Sequence, residues 1–286
     1  MAALLRAVAA VAAAVALFGT LAACEPTAGP KAAAGGRRSA AAEPALPVPP
    51  APRPADRSPL GVLLSAEQVL QTAGRARLHY WSEVPGGATD CADGVLSWAP
   101  PAMQLTRTAP GATGRLIVLG GVSYQGGDTA TAARLGGRHW ERSTGPDGPG
   151  GRPQTPYAEL ADQLDPLQAV TAAAAAGDLR LVGEELLGKV PVGHWAATTT
   201  VADYTAAEAE LLSPARRDRL AAALGGGGVT ALTLDLWLND RDQLVQLRRT
   251  GSSPQGVLDQ LIEYRDYGDQ LAVLAPPESD TRAAGQ

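Results

Sequence analysis

The chain has 286 residues, of which 29 are acidic and 24 basic, so that its formal net charge is −5. This acidic balance argues against nucleic acid as a partner, because affinity for phosphate backbones depends on clustered Lys and Arg side chains. The chain has two cysteines, Cys24 and Cys91, which excludes a fold held together by a framework of disulfides.

Residues 1–23 are predicted to be a secretory signal peptide. Arg6 precedes an apolar stretch without charges that runs to Ala23, which is the pattern of a secretory signal. Residues 21–24, LAAC, resemble the lipobox of bacterial lipoproteins, in which the Cys sulfur carries a diacylglycerol and the chain is cut before it. The alternative is an uncleaved transmembrane helix, but about 17 apolar residues is the lower limit for spanning a bilayer. Cys24 is therefore the predicted lipidation site, on the outer face of the cytoplasmic membrane.

Three further segments follow the signal peptide. Residues 24–61 are rich in Pro and Ala and poor in large apolar residues, which predicts a disordered tether. Such a tether reaches roughly 30 Å as a coil and roughly 100 Å when extended. Residues 62–277 are long enough for one domain with its own core, and residues 278–286 are predicted to be a flexible tail.

The first half of the domain is predicted to contain one helix followed by an antiparallel meander of strands. Ser65 and Gln68 stand at the ends of a capping-box pattern, which predicts a short helix up to Ala73. Short segments rich in β-branched and aromatic residues, separated by Pro and Gly, then predict strands. These segments are 77–84, 94–98, 103–108, 115–119, 122–125 and 138–143.

The second half of the domain is predicted to contain helices and a second antiparallel sheet. Thr155-Pro156 and Asp165-Pro166 each place a cap residue before a proline, which predicts two helix starts. The second of these helices is rich in Ala and stops at Gly177. Strands are predicted over 179–187, 193–203 and 261–267. A capping box over 205–208 and the pair Ser213-Pro214 predict two further helix starts.

The clearest pattern lies in residues 229–250. Leucines at every second position place their side chains on one face of a strand: Leu232, Leu234, Leu236 and Leu238. Residues 239–242 predict a hairpin turn, and Val245 and Leu247 continue the apolar face on the partner strand. The pattern is compatible both with a packed core and with the wall of a cavity.

No motif supports an enzyme. Residues 183–189 have the spacing of a phosphate-binding loop but lack the following Ser or Thr that would hold magnesium. His79, His139 and His194 are far apart and form no local metal-ligand pattern. Cys91 has carboxylates and no base near it in the sequence, which predicts a small half-buried residue rather than a nucleophile. The chain is accordingly predicted to be non-catalytic, without a cofactor or a metal.

The order of these features resembles the LprG/LppX lipoproteins of actinobacteria, which share a fold with the LolA and LolB lipoprotein carriers. A lipobox, a Pro/Ala tether, an early helix, a meander, a helical insert and a second sheet follow one another as in that family. The local matches are Gly137-Arg138-His139-Trp140, Asp165-Pro166 with Gly177-Asp178, Val182 to Glu185 with His194-Trp195, Leu236 to Leu238 with Leu244 to Arg248, and Tyr267-Gly268 with Ala275-Pro276-Pro277.

The resemblance implies an α+β fold, an antiparallel half-barrel wrapped around helices with an apolar cavity between them. Its cavity-facing residues are then Leu232, Leu234, Leu236, Leu238, Val245 and Leu247. The implied function is a membrane-anchored carrier or chaperone that binds lipid or glycolipid acyl chains. The alternative is a non-catalytic accessory lipoprotein with a closed cavity, which interacts with an envelope transporter or a cell-wall protein. A monomer is expected in either case.

Overall fold

The computed structural model describes residues 56–87, 89–109, 112–144, 157–268 and 270–284. The predicted signal peptide, Cys24 and most of the predicted tether lie outside the described residues, so these assignments stay predictions. Among the described residues, no helix is long and apolar enough to cross a membrane.

The first helix, α1, spans Pro59–Ala73 and begins earlier than predicted. The Ser58 hydroxyl caps it by accepting a hydrogen bond from the Gly61 N–H at 3.2 Å, and a proline occupies the first helical position. The capping box predicted at Ser65 is wrong: Ser65 lies inside the helix and its hydroxyl donates to the Asp242 carboxylate at 2.6 Å. The helix ends at Gly74, whose φ of 65° suits a residue without a Cβ.

Among the described residues, twelve strands form one sheet. They are β1 (Arg75–Glu83), β2 (Asp90–Trp98), β3 (Pro101–Ala109), β4 (Ala112–Leu119), β5 (Val122–Gly126), β6 (Trp140–Ser143), β7 (Arg180–Leu187), β8 (Val190–Thr200), β9 (Ala231–Asn239), β10 (Leu244–Ser253), β11 (Gly256–Arg265) and β12 (Thr281–Ala283). Their order is β12-β6-β5-β4-β3-β2-β1-β11-β10-β9-β8-β7. Only β12 runs parallel to its neighbour, and β12 and β7 are the two edges of an open sheet.

The predicted meander and second sheet are therefore confirmed as the two halves of a single sheet, joined where β1 pairs with β11. The predicted flexible tail over 278–286 is contradicted in its middle, because Thr281–Ala283 form β12. The Arg138 guanidinium donates to the Thr281 carbonyl at 2.6 Å and the His139 N–H to the Asp280 carboxylate at 2.9 Å, which holds this segment beside β6.

Five further helices accompany the sheet in the described part of the chain. They are α2 (Thr129–Arg134), α3 (Ala158–Leu164), α4 (Pro166–Ala175), α5 (Val201–Ala207) and α6 (Pro214–Leu224). Asp165 caps α4 by accepting from the Leu167 N–H at 2.9 Å, as predicted. The cap predicted at Thr155-Pro156 lies outside the described residues.

The capping box predicted over 205–208 is wrong. Thr200 caps α5 by accepting from the Asp203 N–H at 3.0 Å, so β8 runs directly into this helix. Thr205 lies within α5 and its hydroxyl donates to the Val201 carbonyl at 3.0 Å. Ser213 stands at the start of α6, as predicted.

The core lies between the helices and one face of the sheet, which we call the inner face. Helix α4 contacts β8, β9 and β10, helix α1 packs on α4, and α3 contacts β3. Buried residues of the helices and of strands β1 to β4 and β8 to β11 join in one hydrophobic cluster. The fold is thus an α+β open antiparallel half-barrel with helices against its inner face, as predicted.

Candidate functional site

The predicted leucine face is the centre of the inner face. Leu232, Leu234, Leu236 and Leu238 are between 0% and 2% exposed, and Leu247 on the neighbouring strand is fully buried. Helix α4 covers these strands with small side chains, since Ala169 and Ala173 are fully buried. Small residues let a helix approach a sheet closely, so this part of the inner face is packed against protein.

Val245 does not belong to this face, which corrects the prediction. A β-bulge lies between Leu244 and Gln246, because Leu244 pairs with Leu238 and Gln246 with its neighbour Trp237. The extra residue of a bulge shifts the alternation of side chains by one position. Leu244 is therefore fully buried on the inner face, while Val245 is half-buried and lines a separate pocket of about 680 Å³.

A second part of the inner face carries a groove of about 400 Å³ between α1 and the strands β7, β8 and β9. We call it the edge groove, because β7 is the free edge of the sheet. Its apolar lining is Val62, Leu181, Pro191, Val192, Trp195 and Leu238. Leu238 is also the last residue of the leucine face, so the groove continues that face beyond α4.

The edge groove is open to solvent at its β7 side. Leu181 is 48% exposed there, and Glu184, which also lines the groove, is exposed as well. The lining also includes four polar residues, Arg57, Glu184, Asn239 and Asp240, and the Arg57 guanidinium lies 2.7 Å from the Asp242 carboxylate. An apolar floor together with a few charged groups suits a ligand with an alkyl chain and a polar head.

A buried polar centre lies elsewhere on the inner face, around Arg249. This side chain is fully buried. It lies two positions after Leu247 in β10 and therefore points to the inner face, as Leu247 does. Its guanidinium donates to the side-chain oxygen of Gln260 at 3.1 Å, the carbonyl of Gln163 at 3.2 Å and the hydroxyl of Tyr204 at 3.2 Å. These bonds connect β10 and β11 to α5 and to the end of α3.

Two acids accompany this centre, the fully buried Glu208 and the half-buried Asp165. Burial, with a smaller contribution from the negative charge of Asp165, raises the pKa of the Glu208 carboxyl to about 9. Burial raises the pKa of Asp165 itself to about 7, against the hydrogen bond from the Leu167 N–H. Both oxygens of Glu208 are buried without a hydrogen-bond partner among the described residues, which agrees with a neutral carboxyl group.

Neither the edge groove nor the Arg249 centre was identified from the sequence. Groove residues come from α1 and from strands more than a hundred positions later, so no local spacing marks them. Arg249 could have been found from its place two residues after Leu247 in an alternating strand, since this position must point inward.

The remaining candidate residues stay separate from both regions. His79 pairs with Asp93 at 3.1 Å and His139 with Asp280 at 2.8 Å, while His194 lies between Glu185 and Asp235 at 2.8 and 2.9 Å. No cluster of three or more His, Cys, Asp or Glu residues suited to a metal occurs in the described ranges. Cys91 is half-buried, and burial together with Asp93 and Asp90 raises the pKa of its thiol, which disfavours the thiolate.

An open antiparallel half-barrel, with helices on its inner face and an apolar groove at one edge, defines the class of fold. No family model matches the chain. A 31.2 kDa protein encoded in the rplA–rplJ intergenic region of Streptomyces griseus is 30% identical in an alignment of 244 residues that covers 78% of each chain. The chain belongs to the family of this Streptomyces protein.

The chain is also similar to three further proteins. A protein of Streptomyces coelicolor that is named as a lipoprotein is 30% identical over 152 residues, or 52% of this chain and 44% of that one. The crystal structure of the lipoprotein LppX from Mycobacterium tuberculosis covers 76% of this chain with 12% identity and a TM-score of 0.46. That of LprF from Mycobacterium bovis also covers 76%, with 14% identity and a TM-score of 0.47.

Proposed function

We propose that this chain is a lipid-anchored lipoprotein, on the outer face of the cytoplasmic membrane, that binds acyl chains of a lipid or glycolipid as a carrier or chaperone. The observation that carries the proposal is the edge groove, an apolar extension of the inner face with an open rim. The lipobox pattern that ends at Cys24, and the relative that is named as a lipoprotein, support the anchor.

The edge groove is the proposed binding site, rather than the leucine face. Leu232, Leu234 and Leu236 are at most 1% exposed under the helices, so a ligand there would have to displace protein. The groove, at about 400 Å³, falls within the size range of ligand pockets. Only Leu238 among the predicted cavity-facing residues lines it.

The expected energetics suit a carrier. Burial of each methylene contributes about 0.8 kcal/mol, so a dozen methylenes give an upper limit near 10 kcal/mol. This is enough to hold an acyl chain away from water. This free energy is comparable to the one that the same acyl chain gains in a bilayer, so the protein can release the lipid that it binds.

Native mass spectrometry of the full chain, purified from a host with a bacterial envelope, tests the proposal. We expect a co-purified lipid in the wild type and its loss in Leu181→Glu, which puts a charge into the groove. Val257→Glu is the matched control, because Val257 is also an apolar strand residue, 49% exposed, and lies outside the groove. Both variants replace half-exposed residues, so both should keep their stability within about 0.5 kcal/mol. Lipid retained by both variants would exclude the groove as the site.

A second candidate function is favoured by the packing of α4 against the leucine face. A closed core suits a non-catalytic accessory lipoprotein that interacts with an envelope transporter or a cell-wall protein. This candidate predicts that the purified wild type carries no lipid. Under both candidates the chain has no catalytic role and is expected to be a monomer.

A further inference from the structure

We propose that the edge groove selects lipids whose head donates hydrogen bonds and carries no net negative charge, and that Glu184 and Asp240 make this selection. This inference deepens the proposed function and rests on it. A head of this kind offers a hydroxyl group, as in diacylglycerol, or an ammonium group, as in an aminoacylated phospholipid. Four polar residues line the groove, and the contacts that they already make decide which of them can meet a lipid head.

Arg57 is the one cation in the groove lining among the described residues, and Asp242 holds it. One carboxylate oxygen of Asp242 accepts from the Arg57 guanidinium at 2.7 Å and the other accepts from the Ser65 hydroxyl at 2.6 Å. Asp242 is 7% exposed, so an Arg57 side chain that turned to a lipid phosphate would leave a buried carboxylate without its counter-charge. Arg57 is therefore a weak attractor for an anionic head.

Asn239 is committed to the turn between β9 and β10. Its Oδ1 accepts from the backbone N–H groups of Arg241 and Gln243, both at 3.0 Å. Its Nδ2 donates to the side-chain oxygen of Gln243 at 3.0 Å. Most of the hydrogen-bonding capacity of this amide is thus used within the protein.

Two carboxylates remain for the ligand. Glu184 of β7 lies opposite Gly193 of β8, and Asp240 directly follows β9. Both side chains are exposed and line the groove, and neither carboxylate has a hydrogen-bond or ion-pair partner within the described ranges. Because a carboxylate accepts hydrogen bonds and donates none, these two groups favour hydroxyl or ammonium donors and repel a phosphate.

The expected selectivity is modest, because both carboxylates are in contact with water. Two unit charges 4 Å apart in water change a binding constant roughly fivefold. The Debye length falls from about 10 Å at 0.1 M salt to about 3 Å at 1 M salt, so an electrostatic selection should shrink as salt is added. A selection by shape alone would be independent of salt.

Native mass spectrometry after lipid loading tests this inference with the full chain. The protein is incubated with phosphatidylcholine vesicles that contain equal amounts of diacylglycerol, lysyl-phosphatidylglycerol and phosphatidylglycerol, all with the same acyl chains. The first two lipids represent the hydroxyl and the ammonium source, and the third is the anionic competitor. The incubation is carried out at low and at high salt.

We expect the wild type at low salt to bind each of the first two lipids at least roughly fivefold better than phosphatidylglycerol. The more abundant of the two identifies the head group. Glu184→Gln with Asp240→Asn should bring the three lipids close to parity. Glu83→Gln with Glu263→Gln is the matched control, because it makes the same change in net charge at two exposed strand residues outside the groove. The control should keep the preference of the wild type.

The outcomes separate this inference from the proposed function. Phosphatidylglycerol bound as well as the other two lipids would overturn the selection alone, since the groove would still bind lipid. A preference that survives Glu184→Gln with Asp240→Asn, or that stays the same at high salt, would also overturn the selection. Absence of all three lipids from the wild type would overturn the proposed function and this inference together.

Discussion

The leucine face and the edge groove belong to the same inner face and share β8 and β9, but different elements cover them. Helix α4 closes the leucine face with alanines, whereas the groove between α1 and β7 leaves Leu181 about half exposed. The two regions are therefore both lined by apolar side chains, but these side chains have different roles. Apolar residues in the first stabilise the fold, and those in the second are available to a ligand.

The largest expected effect is that of a charge on the leucine face. Leu234→Glu buries an unpaired carboxylate at a fully buried position, which should destabilise the domain by several kcal/mol. Thr233→Glu on the outer face is the control and should change stability by less than about 1 kcal/mol. Thermal unfolding measures both. A folded Leu234→Glu variant that had lost only its lipid would show that the leucine face, too, belongs to the ligand site.

Removal of the buried guanidinium should have the next largest effect. Arg249→Met leaves the side-chain oxygen of Gln260 and the carbonyl of Gln163 without their donor, which should cost about 3 kcal/mol in the free energy of unfolding. Arg248→Met is the matched control on the adjacent residue. Arg248 is half exposed and pairs with Asp259 at 2.7 Å, so its loss should cost less than about 1 kcal/mol. Similar losses in urea denaturation would contradict a role of the Arg249 centre in closing the core.

The contrast between these regions shows what the sequence could predict. Alternation of apolar residues identified β9 and its inner face correctly, because a period of two is a local property. The same rule failed at Val245, since a bulge interrupts the alternation without a clear local signal. Arg249 was missed because an arginine in a strand usually points to solvent, and only its partners on α3 and α5 make burial tolerable. The edge groove depends on how α1 packs against strands that are distant in the chain.

The buried acids make the stability of the packed region dependent on pH. The pKa of Glu208 is raised from 4.5 to about 9 in the folded chain, so the folded state holds a proton that the unfolded state releases between these values. Stability should therefore fall as the pH rises through this window, at most by about 1.4 kcal/mol per pH unit from this group. Asp165, with a pKa of about 7, contributes in the same direction at lower pH.

Glu208→Gln should flatten this dependence, because an amide stays neutral at every pH. Urea denaturation from pH 5 to pH 9 measures the slope, with Glu263→Gln, an exposed residue of β11, as the control. An unchanged slope in Glu208→Gln would mean that Glu208 reaches solvent or a cation in solution.

The smallest expected effect on stability is on the exposed side of α1, and a pair of neighbouring leucines isolates it. Leu63 is fully buried in the core and Leu64 is 52% exposed. Leu63→Ser should destabilise the domain by about 2–5 kcal/mol, as truncations of buried leucines do. Leu64→Ser should stay within about 0.5 kcal/mol of the wild type. Thermal unfolding measures both variants. A loss of several kcal/mol in Leu64→Ser would mean that this side chain, too, contributes to the core.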